Sequence, residues 1–302
     1  MASVQVILNP IAGRGAGTRL WSQIEEHLRS NGLDFDLMPT VAPGHATALA
    51  RDATSEGKEA VVVVGGDGTT NEVLNGLIQG KGSFRGPVLG VLPVGTGNDF
   101  AFGADLPLDV WEACQVLTRG RIRSIDVGQV QADNDVRRYF CNGFGVGFDA
   151  ICNIESRKIK RLRGFAVYLV AVLRTILSYY KAPWTKICID GEEMAQSSLM
   201  ISIMNGRRMG GGFYMTPGSQ MDDGILHLCI AGEVSRLQML ALVPRFMRGT
   251  HITDSHITMT QGQEVSIVSD SPWAAQVDGE VYGVGAHCFE VKLLAQHLSL
   301  LC

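Results

Sequence analysis

Several common patterns are missing from this 302-residue chain, and each absence removes a class of protein. Its seven cysteines (Cys114, Cys141, Cys152, Cys188, Cys229, Cys288, Cys302) are scattered, odd in number and without a Cys-x-x-Cys pair. That argues against a disulfide frame or structural zinc and for a reducing compartment. The seven histidines show no metal-ligand spacing and read as structural or exposed. The longest apolar run, Phe165 to Leu173, is cut by Arg174 before it could span a bilayer. Met1 leads almost directly into strand-like residues, with no signal peptide. A cytoplasmic protein that touches membranes at most from one side is expected. The net charge of −4 gives no reason to expect nucleic-acid binding. Internal repeats and low-complexity tracts are also lacking. What remains is a globular composition, 46% hydrophobic and 19% charged, with ample core for one large domain or two medium ones.

The most informative stretch is Val61-Val62-Val63-Val64-Gly65-Gly66-Asp67-Gly68-Thr69-Thr70-Asn71-Glu72. Four β-branched residues in a row read as a strand buried on both faces, as in the centre of a parallel sheet. The glycines permit a tight turn and close approach of backbone to a ligand. Thr69 or Thr70 can N-cap a helix whose apolar side continues with Val73, Leu74, Leu77 and Ile78. Strand, glycine turn and helix N-terminus together form a phosphate cradle. It is not a Walker A loop, because no Gly-Lys-Ser/Thr ends it. It carries an acid, Asp67, which beside phosphates requires a bridging Mg²⁺ or hydroxyl partners. A nucleotide–metal complex is the ligand this suggests. An ordinary glycine-rich αβ turn is the competing reading.

The first third of the chain alternates strand and helix patterns. Val4 to Leu8, Phe35 to Met38, Val61 to Val64 and Pro87 to Pro93 read as strands. Helices follow with Leu20, Ile24 and Leu28 on one side, over Ala46 to Thr54, after Gly68, and after Asn98. This pattern predicts an open parallel α/β sheet with its ligand beyond the strands' carboxyl ends. Near Arg121 it changes to short strands: Lys186 to Ile189, Leu199 to Met204, Ile225 to Ile230, Glu264 to Val268 and Phe289 to Leu293, with one helical interlude between Ile151 and Tyr180. The expectation is an α/β nucleotide-binding domain over 1–122 and an antiparallel β-sandwich domain over 123–302. The last residues, Ala295 to Cys302, are candidates to return to the first domain.

Gly65-Gly66-Asp67-Gly68-Thr69 resembles the signature shared by diacylglycerol kinases, sphingosine kinases and NAD kinases, and Thr70-Asn71-Glu72-Val73 extends it towards the lipid kinases. Asn9-Pro10, Gly95-Thr96-Gly97-Asn98-Asp99-Phe100-Ala101, Asn142-Gly143-Phe144-Gly145-Val146-Gly147-Phe148-Asp149-Ala150, Asn205-Gly206 with Gly210-Gly211-Gly212 and Pro217, Asp223-Gly224 and Asp278-Gly279-Glu280 follow the diacylglycerol kinase catalytic family in order. The resemblance covers nearly the whole chain. Phe102, where arginine is common, and Ser219, where alanine is usual, depart from it at the periphery.

The resemblance implies transfer of the ATP γ-phosphoryl group to a lipid alcohol, diacylglycerol foremost. Phosphoryl transfer needs positioning, neutralised phosphate oxygens and a base for the hydroxyl proton. Asp278 and Glu280 project from one tight turn, although Asp-Gly is also a common solvated hairpin turn. A second copy, Asp190-Gly191-Glu192, is locally indistinguishable. The family's position near the C-terminus selects Glu280 as general base and Asp278 as its partner through hydrogen bond or metal. The resemblance further implies nucleotide contacts at Asn9, Pro10, Gly13, Thr40, Gly66, Asp67, Gly68, Thr69, Thr70, Asn71, Glu72 and Thr96. It implies a structural Mg²⁺ at the Asp223 carboxylate and the carbonyls of Gln220 and Ile225, separate from the Mg²⁺ that rides on ATP. An exposed acidic turn is the alternative for Asp222 and Asp223.

Arg157, Lys158, Lys160, Arg161 and Arg163 put five basic residues in seven ahead of an apolar helix. A solvated helix face is the plain reading. Peripheral contact with an anionic membrane surface is the functional one. A homodimer is compatible with the sequence. Three alternatives stay open: a kinase of another lipid alcohol such as a sphingoid base or ceramide-like acceptor, an NAD kinase, and a non-catalytic nucleotide- or lipid-binding regulator.

Overall fold

The computed structural model describes residues 3–80, 86–133, 135–159, 162, 164–179 and 181–302. The chain divides into two units, Met1–Asp126 with Gln296–Cys302, and Val127–Ala295.

The first unit contains β1 (Val4–Leu8), α1 (Ala12–Ser30), β2 (Phe35–Pro39), α2 (His45–Ser55), β3 (Ala60–Gly65), α3 (Asp67–Gly80), β4 (Val88–Pro93), α4 (Asp99–Gly103) and α5 (Val110–Arg119). The strands pair in parallel in the order β2-β1-β3-β4. At the far side of β4 the returning C-terminal segment sets Leu300 beside Leu89, also in parallel. Every residue of β1 is buried, including Gln5, whose amide donates to Leu49 O, as are Val61 to Gly65 of β3, whose valine run is that of a strand covered on both faces. Helices α2 and α3 pack closely because Gly76 has no Cβ; one there would lie 2.3 Å from the Thr47 carbonyl oxygen. Helix α3 starts earlier than the N-cap expectation for Thr69 or Thr70. Its first residue is Asp67, and the Thr70 N–H already donates to Gly66 O at 3.0 Å. Both threonines therefore lie inside the first turn.

The second unit is entered through β5 (Ile122–Ala132) and continues with β6 (Arg138–Phe140), β7 (Gly143–Gly147), α6 (Phe148–Ser156), α7 (Phe165–Ser178), β8 (Trp184–Ile189), β9 (Glu192–Met204), β10 (Arg208–Met209), β11 (Phe213–Tyr214), β12 (Leu226–Gly232), α8 (Arg236–Arg248), β13 (Ile257–Gly262), β14 (Glu264–Val277) and β15 (Glu280–Leu301). Strand β9 pairs with β8 over its first half and with β7 over its second; β14 does the same. Long strands that change partner along their length run through both layers, which is how an antiparallel sheet folds over itself into a sandwich. The register of β14 against β15 shifts between Val268 and Ala275, where the ribbon bends. Phe140, Phe144, Trp273 and Phe289 fill the interior, the Phe144 and Phe289 rings 5.6 Å apart.

The helical interlude expected over Ile151 to Tyr180 is the pair α6 and α7. Helix α8 is a correction to the expectation of a single helical interlude. Ser235 and Gln238 form a capping box at its start, and Gly249 ends it in the left-handed region at φ 71°. Ser-x-x-Gln was a usable signal; Pro244 inside the pattern obscured it.

Candidate functional site

The candidate residues fall into constellations in each of the two units. In the first, Asn9 follows β1, Thr40 follows β2, Gly66 follows β3 and Gly95 lies two residues beyond β4, so the expected nucleotide residues gather at the carboxyl edge of the sheet. Thr40 N–H donates to Leu8 O at 2.8 Å and Asn9 N–H to Val64 O at 2.9 Å, which ties these ends together. The Asn9 side chain donates to Thr69 Oγ1 at 2.8 Å and accepts from Ile11 N–H at 3.2 Å. Pro10 O receives the Thr18 hydroxyl.

The glycines here serve packing between loops as much as approach to a ligand. A Cβ on Gly66 would meet Gly95 Cα at 2.8 Å, and one on Gly95 would meet Gly66 Cα at 2.4 Å. Gly13, at φ 55°, passes so close to Val94 that a Cβ would lie 2.1 Å from its oxygen. Asp67 braces the same junction: its Oδ1 accepts from Phe100 N–H at 2.9 Å, at the start of α4. Asn98, at φ 53°, closes the Gly95–Asn98 loop through Gly95 N–H and the Pro93 carbonyl, and Thr96 stands exposed at its tip. Asn71 is buried and accepts from Asn75. Glu72 points elsewhere: its carboxylate accepts from Gly44 and Ala46 N–H and so holds the start of α2. The crevice behind these loops, lined by Gly66, Asp67, Thr70, Asn98 and Phe100 among others, is too narrow to enclose a cofactor. A nucleotide would rest on the loops and the α3 N-terminus, where main-chain N–H groups and the helix dipole suit phosphate.

In the second unit, β14 and β15 meet at Asp278-Gly279. Both residues have positive φ, 46° and 81°, as a two-residue hairpin turn demands. The Asp278 carboxylate turns inward and accepts from Cys141, Asn142 and Gly143 N–H at 2.8–2.9 Å. Three main-chain donors fix the turn against the start of β7. Glu280, next along, remains half-exposed, with Arg157 2.6 Å from its Oε2. Asn153 and Arg157, from the end of α6, also donate to Gly279 O, and Gly279 N–H donates to the buried Gln276 Oε1 at 2.8 Å. Behind Gln276 stands Asp149, which accepts from Gln276 Nε2 and the Ser202 hydroxyl, each at 3.2 Å. Only part of Asp149 reaches solvent, and burial pushes its carboxyl up to about 6 although both hydrogen bonds favour the anion. The Oδ1 atoms of Asn142 and Asn153 are buried beside the turn without a protein donor, leaving polar capacity for water or ligand.

Arg157, Asn153, Gln276 and Asn98 are absent from the sequence-derived site. Arg157 belonged to the basic run, whose charge gave no hint that one member turns to Glu280. Lys158 of that run pairs with Glu155, and Lys160, Arg161 and Arg163 lie outside the described residues.

The expected metal residues lie together in the turn before β12. Asp223 Oδ1 accepts from Ile225 N–H at 3.1 Å and its Oδ2 stands 2.9 Å from His227 Nε2. Gln220 is exposed and Ile225 half-buried. One carboxylate with carbonyl and water oxygens is a donor set that suits Mg²⁺. No group of three or more His, Cys, Asp or Glu side chains arranged for a metal occurs among the described residues, so any metal here depends on main-chain oxygens.

Comparison with known proteins finds a known domain over each part of the chain. Residues 3–130 match the diacylglycerol kinase catalytic domain and residues 143–302 the YegS C-terminal NAD kinase beta sandwich-like domain. The chain is 30% identical over 288 residues to a diacylglycerol kinase of Bacillus subtilis, covering 94% of this chain and 91% of that one. It is 35% identical over 229 residues to the Yersinia enterocolitica protein named "Probable lipid kinase YegS-like", covering 76% and 74%. A crystal structure of a diacylglycerol kinase from Bacillus anthracis superimposes with a TM-score of 0.76 at 21% identity, covering 99% of this chain and 96% of that one. Yeast NADH kinase superimposes with a TM-score of 0.51 at 10% identity, covering 99% and 82%. These two likenesses concern the fold. With both domains matched and full-length relatives at this identity, the chain belongs to the diacylglycerol kinase catalytic-domain family of lipid kinases.

Proposed function

We propose that this protein transfers the γ-phosphoryl group of Mg-ATP to the free hydroxyl of diacylglycerol, giving phosphatidic acid and ADP. The observation that carries the reading is the division of labour at the β14–β15 turn. Asp278 spends its carboxylate on three main-chain N–H groups, while Glu280 keeps its own at the surface. An anchored turn that presents one carboxylate at the surface suits a general base, which must be held in place yet reach the substrate hydroxyl. Glu280 takes the hydroxyl proton as the oxygen attacks the γ-phosphorus, and the bond to the ADP oxygen breaks. Arg157 steadies Glu280 before substrate arrives. In the first unit, Asn9, Pro10, Gly13, Thr40, Gly66 to Asn71 and Thr96 bear on the nucleotide, Asp67 and Gly66 by shaping the loops. Asp223, with the carbonyls of Gln220 and Ile225, would hold a structural Mg²⁺; the metal riding on ATP neutralises phosphate charge. Peripheral contact with an anionic membrane is part of the proposal, since the acceptor resides in a bilayer.

The 35% identity to a relative named only as a lipid kinase favours a second reading, in which another lipid alcohol is the acceptor. Labelled ATP with a panel of diacylglycerol, monoacylglycerol, sphingosine and ceramide decides between them. Diacylglycerol as the best acceptor supports the first reading. Labelling of another lipid at higher kcat/KM replaces it, and no labelled lipid from any acceptor removes both.

A further inference from the structure

Helices α7 and α8 each bury one face in the second unit and turn an apolar face to solvent. On α7, Val167, Ala171 and Ile176 are buried, yet Leu173 is exposed and Leu177 is 73% exposed. On α8, Met239 and Leu242 are buried, while Leu237 is 79% exposed and Leu240 41%. Leu237, Leu240, Ala241 and Pro244 are all exposed and recur at i, i+3, i+4 and i+7, which makes a second apolar stripe on a helix that already has one. A helix serving only this fold would carry polar residues there. The two stripes are neighbours: Arg236 Nε donates to Ile176 O at 3.1 Å, and Leu237 and Leu177 are the next residues in the chain.

The charge carried by the two helices is of one sign. The charged residues of the two helices are Arg174, Arg236, Arg245 and Arg248, and neither helix contains Asp or Glu. Arg245 is answered by Asp254 beyond α8, and Arg236 is turned to α7; Arg174 and Arg248 are exposed. Exposed leucines on helices whose charged residues are all arginine are the composition of helices that lie in the headgroup region of an anionic bilayer. A two-fold contact with a second copy would set this cationic face against its like.

We propose that the exposed face of α7 and α8 is where this protein seats on a phospholipid bilayer containing anionic lipid. Leu173, Leu177, Leu237 and Leu240 enter the boundary between headgroups and acyl chains, and Arg174 and Arg248 meet the phosphates. The inference deepens the lipid-kinase reading and rests on it for its purpose: a base on a surface-bound protein reaches an acceptor that never leaves the membrane.

The test is sedimentation with phosphatidylcholine vesicles, with and without phosphatidylglycerol, in the absence of nucleotide. Wild-type protein should pellet with the anionic vesicles and less with the neutral ones. Leu177→Gln with Leu237→Gln should lower partitioning by at least about tenfold, because two leucines lose their transfer into lipid. Arg174→Gln with Arg248→Gln should lower it several-fold and flatten its salt dependence. Both pairs replace exposed side chains, so circular dichroism and turnover of a short-chain acceptor dispersed in detergent should stay at wild-type levels. Leucine variants that pellet like the wild type overturn the proposal. So does a wild-type dimer in equilibrium sedimentation that the leucine variants break while their vesicle binding is unchanged. Binding lost by both pairs in a protein inactive on every lipid still supports this docking surface and counts against the phosphoryl-transfer reading alone.

Discussion

The second unit contains two turns built from the same three residues, Asp190-Gly191-Glu192 between β8 and β9 and Asp278-Gly279-Glu280 between β14 and β15. Their backbones agree: φ is 50° and 90° in the first pair, 46° and 81° in the second. Even the aspartates behave alike. Asp190 accepts from Gln263 and Glu264 N–H, as Asp278 accepts from Cys141, Asn142 and Gly143. The difference lies around them. A Cβ on Gly191 would meet nothing within 4 Å, whereas the carbonyl of Gly279 is held by Asn153 and Arg157 and its N–H by Gln276. Glu192 stands exposed at a hairpin tip; Glu280 faces an arginine beside buried polar atoms that still have bonding capacity. A turn motif thus becomes a candidate for catalysis through what is packed behind it, not through its own residues.

The largest effect should separate the two glutamates. Glu280→Gln keeps size and hydrogen bonding but cannot take a proton, so kcat should fall roughly 10²–10⁴-fold. Glu192→Gln should stay near the wild-type rate in the same assay. Equal rates for both variants would erase the distinction.

The buried acid behind only one of the turns supplies the next contrast. The Asp149 carboxyl sits at about 6 in the fold, against an ordinary value of 3.8. An acid whose value is raised by folding holds its proton longer in the native state than in the unfolded chain. Stability is therefore highest below about pH 4 as far as this group is concerned, and falls as pH rises from about 4 to about 6. The difference between the two values corresponds to at most about 3 kcal/mol. Asp149→Asn should remove that part of the pH dependence in urea denaturation followed between pH 4 and 7. A variant with the wild-type profile would show that Asp149 is solvated in solution.

A smaller effect should distinguish the anchors. Asp278→Asn turns an amide towards main-chain donors and loses charge-assisted bonds worth about 1.5–3 kcal/mol, which thermal denaturation would register. Asp190→Asn, at an exposed hairpin, should cost less than half as much. The smallest contrast uses the glycines. Gly191→Ala and Gly279→Ala each place a side chain at positive φ and should cost about 1 kcal/mol alike. Only Gly279→Ala should also lower kcat, because it moves Glu280.

The parallel sheet of the first unit was legible because β3 and β4 are apolar runs and its turns are rich in glycine, signals carried within a few residues. The sandwich was legible as strands, although β9, β14 and β15 run far longer than the short strands expected, and α8 escaped because a proline interrupted its pattern. The site was legible unevenly. Asn9, Gly66 and Thr96 do gather at one sheet edge, but Glu72 faces α2 and Gly66 faces Gly95, which no local pattern reveals. Arg157 read as one member of a charge run until the fold turned it to Glu280.

By itself, then, the sequence determined the family, the alternation of strand and helix, and the short list of carboxylates that could act. These depend on residue type and spacing, which act over the length of one element. Only the tertiary structure decided which of two identical turns is braced, which carboxylate is spent on backbone N–H groups, and which leucines of α7 and α8 stay in solvent. Those outcomes depend on residues more than a hundred positions apart, such as Asp278 and Cys141, meeting within 3 Å. Hydrogen bonds and burial at that range are set by the packing of whole strands and helices, and no window of sequence contains them.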